Sequence, residues 1–370
     1  LKRIDFANMF PQATARLNGN RETTNYGGDN FDADPELSLT ASISWELDLW
    51  GNLRWARDHS TAEFLASVEN CRAVKIGLVA QVAQSYFELM ALDNELAIVR
   101  RTLEARREGV RLAEIRFKGG LTSEIVFQQA KVELAKTATM VPDLERRISL
   151  KESEIALLTG DFPYAVNRNV LPEEIQLPDA LPLGLPSTLL ERRPDIRKAE
   201  RELMAAHAEV GLAYTNMFPR LALTATLGAE SETLRDLLKS PYSYLAGNLL
   251  SPLFAMGKNR AALKAKRTAY ESAVAEYEKT VLTAFKETHD AIINFNKIKD
   301  IYESRRQLAE ASRTAVELAQ LQYINGVIGY LDLLDAQRNY FDAQVSLSNA
   351  VCDKQLMIIN LYKALGGGWK

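Results

Sequence analysis

The chain has 370 residues, with 45 Lys and Arg against 48 Asp and Glu, a formal net charge of -3, 47% hydrophobic and 25% charged residues. That balance is too apolar for disorder and too neutral for a nucleic-acid binder that draws its affinity from phosphate neutralisation. Two cysteines, Cys71 and Cys352, three scattered histidines and no GxxxxGK[ST] loop exclude a disulfide framework, a metal cluster and a nucleotide site, so no catalytic, cofactor or metal residues are expected. No run approaches the ~18 uninterrupted apolar residues of a spanning helix, which leaves open a barrel whose strands need only about 10 alternating residues.

In chain order, residues 12–20 alternate faintly, with Ala13, Ala15 and Leu17 on one side. Residues 37–50 (LSLTASISWELDLW) alternate almost without fault, with Leu37, Leu39, Ala41, Ile43, Trp45, Leu47 and Leu49 against Ser, Thr, Glu and Asp. Trp45 and Trp50 fall near the strand end, where aromatic girdles mark a membrane interface and where a soluble core would equally place them. Residues 52–117 lack proline and predict a helix of about 100 Å. Its apolar stripe reads Val74, Leu78, Val82 and Leu89, its frequent small residues, Ala62, Ala66 and Ala80 among them, are expected to permit close helix contacts, and Cys71 reads as a packing residue. The Gly119-Gly120 turn leads to a return helix over 122–159, where Pro142 is expected to introduce a kink. Pro163, Pro172, Pro178, Pro182 and Pro186 mark 161–186 as a linker, and 187–215 reads as a helix.

Strands follow at 221–228 and 243–254, then a second long helix at 258–325 with Val274, Leu282, Phe285, Ile292 and Ile298 in its stripe. The Asn325-Gly326 turn, a return helix at 329–365 carrying Cys352 as a second packing residue, and the tail GGGWK at 366–370 complete the chain. The expected division is 1–50 first hairpin, 51–160 first helical hairpin, 161–186 linker, 187–215 helix, 216–256 second hairpin, 257–365 second helical hairpin and 366–370 tail.

The order is duplicated. Asn8-Met9-Phe10-Pro11 returns as Asn216-Met217-Phe218-Pro219, Gly51 as Gly257, Phe117-Lys118-Gly119-Gly120 as Tyr323-Ile324-Asn325-Gly326, and Ala130 as Ala336. The first half's counterpart of the 187–215 helix is expected before Leu1, in upstream residues outside this sequence. A single alternating strand fits a soluble sheet with one wet face. Two hairpins that run into helices far beyond globular length favour a barrel wall. Four strands cannot close alone, since the smallest closed barrels have about eight, so several chains must each contribute four: a dimer gives eight and a trimer twelve.

Asp332 and Asp335 share a helix face just after the second turn, where the first half has Val126 and Gln129. Singly they read as solvated acids near a helix N-terminus. Around the mouth of a tube they would form a ring that selects cations or controls closure.

LTASISWELDLWG at 39–51, RFKGGLTSEIVFQQA at 116–130, LLERRPDIRKAERELMAAHAEVG at 189–211, NMFPRLALTATLG at 216–228 and QYINGVIGYLDLLDAQR at 322–338 together resemble the outer membrane factor family, the TolC-like channels of Gram-negative efflux systems, in its OprM/NodT branch. The resemblance implies a mostly α homotrimer: a twelve-stranded outer-membrane β-barrel continued by a periplasmic α-helical barrel. The linker and tail would form an equatorial girdle. It implies a channel among outer-membrane lipids, completing a tripartite pump with a periplasmic adaptor and an inner-membrane transporter of RND type. It places a gate at the helix tips: Asp332 and Asp335 on the aperture, Tyr323 in contacts that hold it closed, and Tyr330, with Gly329, where some relatives carry basic or polar partners. The turns Gly119, Gly120, Asn325 and Gly326 form the tips. Members of the branch are often lipoproteins, acylated at an N-terminal cysteine, and no cysteine lies near Leu1. The alternative is a non-conducting structural or adaptor coiled-coil protein of the cell envelope, which the alternating strands argue against.

Overall fold

The computed structural model describes residues 2–24, 32–168, 191–252 and 256–367, with side chains placed except at 21–24 and 32–35. The elements are α1 (Lys2–Ala7), β1 (Gln12–Thr24), β2 (Asp32–Leu47), α2 (Asn52–Lys118), α3 (Glu124–Thr159), α4 (Pro194–Thr215), β3 (Arg220–Ser231), β4 (Pro241–Leu250), α5 (Lys258–Ile324) and α6 (Tyr330–Ala364). The fold is mostly helical, with one antiparallel sheet in the order β1-β2-β3-β4. Most of the 161–186 linker and tail residues 368–370 lie outside the described residues. Pro142 sits inside α3 without ending it.

Several boundaries differ from the sequence reading for identifiable reasons. β2 stops at Leu47 because Asp48 turns its carboxylate to the start of α2, accepting from the Leu53 and Arg54 N–H groups at 3.0 and 3.1 Å. This is a helix-capping role incompatible with continuing the strand. Of the helix expected over 187–215, residues 187–190 lie outside the described residues, 191–192 are helical, and after Arg193 a second helix opens at Pro194, which suits the first helical position because its missing N–H is not needed there. Part of the first half's matching element, expected wholly before Leu1, is present as α1.

The duplication is built into the backbone. α2 and α5 have 67 residues each, and α3 and α6 have 36 and 35. Gly51, Gly120 and Gly160 have φ of 82°, 74° and 81°, and Gly257, Gly326 and Gly366 have 79°, 74° and 89°. Phe6 meets Phe10 at 5.2 Å as Tyr214 meets Phe218 at 5.2 Å. Gln12 donates to Asn8 as Arg220 donates to Asn216.

The chain divides into two compact units, residues 1–71 with 194–281 and residues 72–193 with 282–370. The first holds the sheet, α1, α4 and the starts of both long helices. In the second, Leu89, Leu92, Leu96 and Val99 of α2 pack on Leu144, Ile148 and Ile155 of α3. Ala291 and Phe295 of α5 pack on Leu361 and Ala364 of α6. Buried Arg193 donates to the Ala364 carbonyl at 3.0 Å and to Glu287 at 2.6 Å, closing the end of α6.

The expected stripes are only partly buried. Leu89 and Ile298 are core, but Val74, Leu78 and Leu282 are exposed. Alanines such as Ala62, Ala66, Ala80, Ala284 and Ala291 take the buried positions instead. Small side chains let these helices approach closely and leave larger apolar ones on other faces. Cys352 is buried as expected, whereas Cys71 is exposed and does not pack.

Candidate functional site

The sheet segregates its faces in register. Directly paired residues point to the same side. One row runs Ala13, Ile43, Ala225 and Leu245, the next adds Leu17 and Leu39, and Trp45 pairs with Leu223 and Leu47 with Leu221 and Leu249. The opposite face carries Thr14, Ser42, Thr226 and Tyr244, then Gln12, Ser44 and Thr224. Thr14 and Ser42 share a hydrogen bond of 2.8 Å across that face. The apolar residues are not under a protein layer, as Leu17, Ile43, Leu227, Leu245 and Leu249 are all exposed. An apolar sheet face open across four strands needs lipid or protein against it.

Trp45 and Trp50 anchor the sheet to the two helix–strand corners. Trp45 Nε1 donates to the Met9 carbonyl at 3.1 Å, and Trp50 Nε1 to the Pro219 carbonyl at 2.8 Å. Trp50 also stacks on Phe218 with centroids 4.9 Å apart. Both rings remain partly exposed, as suits an indole with one satisfied polar end and an apolar body.

Both helical hairpins end in the same closure. At the first, Gly120 N bonds Phe117 O and Leu121 N bonds Arg116 O at 2.8 Å. At the second, Gly326 N bonds Tyr323 O and Val327 N bonds Gln322 O at 2.9 Å. This pattern requires a left-handed residue after the helix, which Gly120 and Gly326 provide at φ 74°. Gly119 does not have positive φ, and Asn325 instead donates its side-chain amide to the Leu321 carbonyl at 2.8 Å.

The candidate gate residues fall into two groups. Tyr323 and Tyr330 turn inward, with rings 5.8 Å apart, packing with Ala319, Ile328 and Leu333. Arg116 lies over the Tyr323 ring at 4.8 Å. The buried Tyr323 hydroxyl has no hydrogen-bond partner among the described residues. Burial raises the Tyr330 pKa, opposed by the nearby Arg106 charge. Asp332 and Asp335 face solvent. Asp332 accepts the Gly329 N–H at 3.0 Å, capping α6 from within its first turn, and Asp335 accepts from Asn339 at 3.1 Å.

Sequence reasoning missed a buried charge cluster beside the tyrosines. Arg106 of α2 pairs with Glu133 of α3 at 3.1 Å, with side chains only 8% and 5% exposed. Arg338 of α6 donates to the other Glu133 oxygen. Burial pushes the Glu133 carboxyl up, but the Arg338 hydrogen bond and the charges of Arg106 and Arg338 outweigh it and hold it below the carboxylate range. Burial lowers the Arg106 pKa, with Glu133 opposing. The signal was available: Glu133 lies on the buried stripe of Ala130, Thr137, Leu144 and Ile148, where a charge demands a partner.

Comparison with known proteins fits this geometry. The chain is 33% identical to the outer membrane protein OprJ of Pseudomonas aeruginosa, over 99% of this chain and 78% of that protein. It is 33% identical to the solvent efflux pump outer membrane protein SrpC of Pseudomonas putida, over 100% and 80%. The solved structure of the outer-membrane channel OprN superposes with a TM-score of 0.92 at 29% identity, covering 100% of this chain and 84% of that one. The model of the family described as outer membrane efflux protein matches residues 3–161 and 185–367. The chain therefore belongs to the outer membrane efflux protein family, as an outer-membrane channel component of an efflux pump and not an enzyme.

Proposed function

We propose that this chain is the outer-membrane exit channel of a tripartite pump, passively conducting small molecules across the periplasm and outer membrane. The observation that carries the reading is the sheet: four strands whose large apolar residues fall mainly on one exposed face and whose hydroxyl and amide residues fall mainly on the other. Such a sheet is stable in lipid only as part of a closed wall. Three copies supply twelve strands, an even number in the range of outer-membrane barrels. In this homotrimer the hairpins 1–50 and 216–256 form the wall, with Trp45 and Trp50 at the membrane interface. The helical hairpins 51–160 and 257–365, with the helix ending at 215, form the periplasmic tunnel. The segments 161–186 and 366–370 girdle it.

Energy comes from partners: an inner-membrane transporter of RND type, joined through a periplasmic adaptor. Asp332 and Asp335, exposed near the second tip, line the aperture, and Tyr323 and Tyr330 hold the helices behind it. Opening separates these tips. Single-channel recording of the intact oligomer tests the gate by comparing wild type with Asp332→Ala plus Asp335→Ala. Loss of cation preference with altered conductance is expected. A channel whose conductance and selectivity are both unchanged would remove the two aspartates from the aperture.

A further inference from the structure

The two halves differ in charge where the sheet hands over to the long helices. The opening of α5, KNRAALKAKR at 258–267, carries five cations and no acid. The matching stretch of α2, NLRWARDHST at 52–61, carries Arg54 and Arg57 against Asp58. Both of those arginines are paired within the chain, Arg54 with Asp48 at 3.1 Å and Arg57 with Asp58 at 2.7 Å. On α5, Lys266 pairs with Glu209 of α4 at 2.8 Å. Arg260, Lys264 and Arg267 are exposed and enter no ion pair among the described residues.

Their spacing of i, i+4 and i+7 puts these three on one face of α5. The opposite side carries Ala262 and Lys266, which line a groove with Glu209, Arg220 of β3 and Leu250 of β4. Arg220 and Leu250 are a register pair in the phase of the hydroxyl face, one residue away from the Leu221–Leu249 pair of the apolar face. The unpaired cations therefore lie on the apolar side of the sheet. On that side Leu245 and Leu249 are exposed, and Met256 at the corner is 84% exposed. Side chains on a helix lean toward its N-terminus, which for α5 is toward the sheet. From Lys258, Arg260 is about 3 Å and Arg267 about 14 Å along the axis. The polar layer of a bilayer is about 5–7 Å deep on each side, and screening in salt extends about 8–10 Å beyond it. Long arms that reach back toward the sheet keep all three charges within that range.

We propose that Arg260, Lys264 and Arg267 form a docking stripe for anionic phospholipid headgroups at the periplasmic surface of the outer membrane. The ligand chemistry is a phosphate diester with no cation of its own, as in phosphatidylglycerol. A zwitterionic headgroup brings an ammonium that these side chains repel. The two guanidinium groups offer forked N–H donors that fit phosphate oxygens, and the lysine adds a point charge between them. Apolar residues above and cations below fix the depth at which this part of the wall sits. The first half has no such stripe, because its arginines are already neutralised by Asp48 and Asp58.

The inference rests on the membrane wall proposed above, and the test separates the two. The intact oligomer in detergent is titrated with phosphatidylglycerol and, separately, phosphatidylcholine, with bound lipid counted by native mass spectrometry. Phosphatidylglycerol is expected to bind more tightly, and Arg260→Ser, Lys264→Ser and Arg267→Ser each to weaken it about fivefold, as for a cation near an anionic surface. Arg57→Ser, which removes a cation already paired, should change it about twofold or less. In the unmodified protein, raising salt from about 0.1 M to about 1 M should abolish the preference, which tests the stripe without any substitution. Equal affinity for the two lipids, or an undiminished preference with all three residues replaced, overturns the stripe and leaves the wall reading intact. Displacement of the lipid by inorganic phosphate at constant ionic strength also overturns it, since the stripe would then be a phosphate site. An unmodified protein that is monomeric in detergent and holds neither lipid overturns both.

Discussion

At the first helix tip, α2 is closed by the Gly120 N–H bonding Phe117 O and the Leu121 N–H bonding Arg116 O. At the second, α5 is closed by the Gly326 N–H bonding Tyr323 O and the Val327 N–H bonding Gln322 O, with both glycines at φ 74°. Leu112, Ile115, Leu121 and Ile125 are exposed around the first, and Leu318, Leu321, Val327 and Leu331 occupy the same places around the second. The polar and charged groups do not repeat. Phe117 becomes Tyr323, Val126 becomes Asp332, Gln129 becomes Asp335 and Val132 becomes Arg338. Glu133, which Arg338 reaches across to hold, is matched in the second half by Asn339. The backbone was thus kept through duplication while the polar chemistry was divided: the second tip carries the acids, and the first supplies Arg106, Arg116 and Glu133 as partners for its neighbour.

The largest effect expected from that division is at Glu133. Glu133→Ala leaves Arg106 buried without its carboxylate, a loss of about 3–5 kcal/mol, read as a lower denaturation midpoint and faster amide exchange over 330–338. An effect below ~1 kcal/mol would mean that the cluster is solvated and the two tips are not cross-linked by charge. The same pair predicts acid sensitivity. Glu133 has its folded pKa held below its ordinary value of 4.5, so its contribution is complete above that pH and fades as pH falls through the lowered value. Glu133→Gln removes this titration.

Next come the tip glycines. Gly120→Ala and Gly326→Ala each impose a left-handed conformation on a residue with a Cβ, and open space surrounds both positions. Each should therefore cost about 1–2 kcal/mol from backbone alone, and by similar amounts. A large difference between the two melting shifts would break the backbone equivalence.

A smaller and one-sided effect belongs to Asp332→Ala, which removes the bond to the Gly329 N–H and should cost about 1 kcal/mol. Val126→Ala at the matching place removes no such bond. The smallest effect on stability is expected from thiol labelling. Exposed Cys71 should take a maleimide at neutral pH, whereas Cys352, buried with its thiol pushed up to about 11 and donating toward the Phe87 carbonyl, should react only after unfolding. Equal labelling of both would contradict the placement of α6 in the core.

The elements were legible where one physical signal dominated. The alternation from Leu37 to Leu47, the long proline-free stretches and the Gly120 and Gly326 stops each have a local cause that composition alone exposes. The strand end at Leu47 was not, because Asp48 continues the polar phase of the pattern while its carboxylate serves the next helix. The large apolar residues of the helix stripes were misjudged, whereas the small residues expected to permit close contacts do so. The close-packed positions belong to Ala62, Ala66 and Ala80, and Leu282 is left outside. At the second tip, the acids and tyrosines were found from spacing and resemblance. The Arg106–Glu133–Arg338 cluster joins residues on three helices, and no pairwise spacing reveals it.

The central claim is that the two faces of the sheet see different solvents. Spin labels attached singly at Ile43→Cys, Ser42→Cys, Leu245→Cys and Tyr244→Cys in a Cys71→Ser background, in the outer-membrane oligomer reconstituted in lipid, test it most directly. Positions 43 and 245 should be relaxed by oxygen dissolved in the bilayer, and positions 42 and 244 by a water-soluble nickel complex. Equal access of the nickel complex to all four positions, or protection of all four from both reagents, would contradict it.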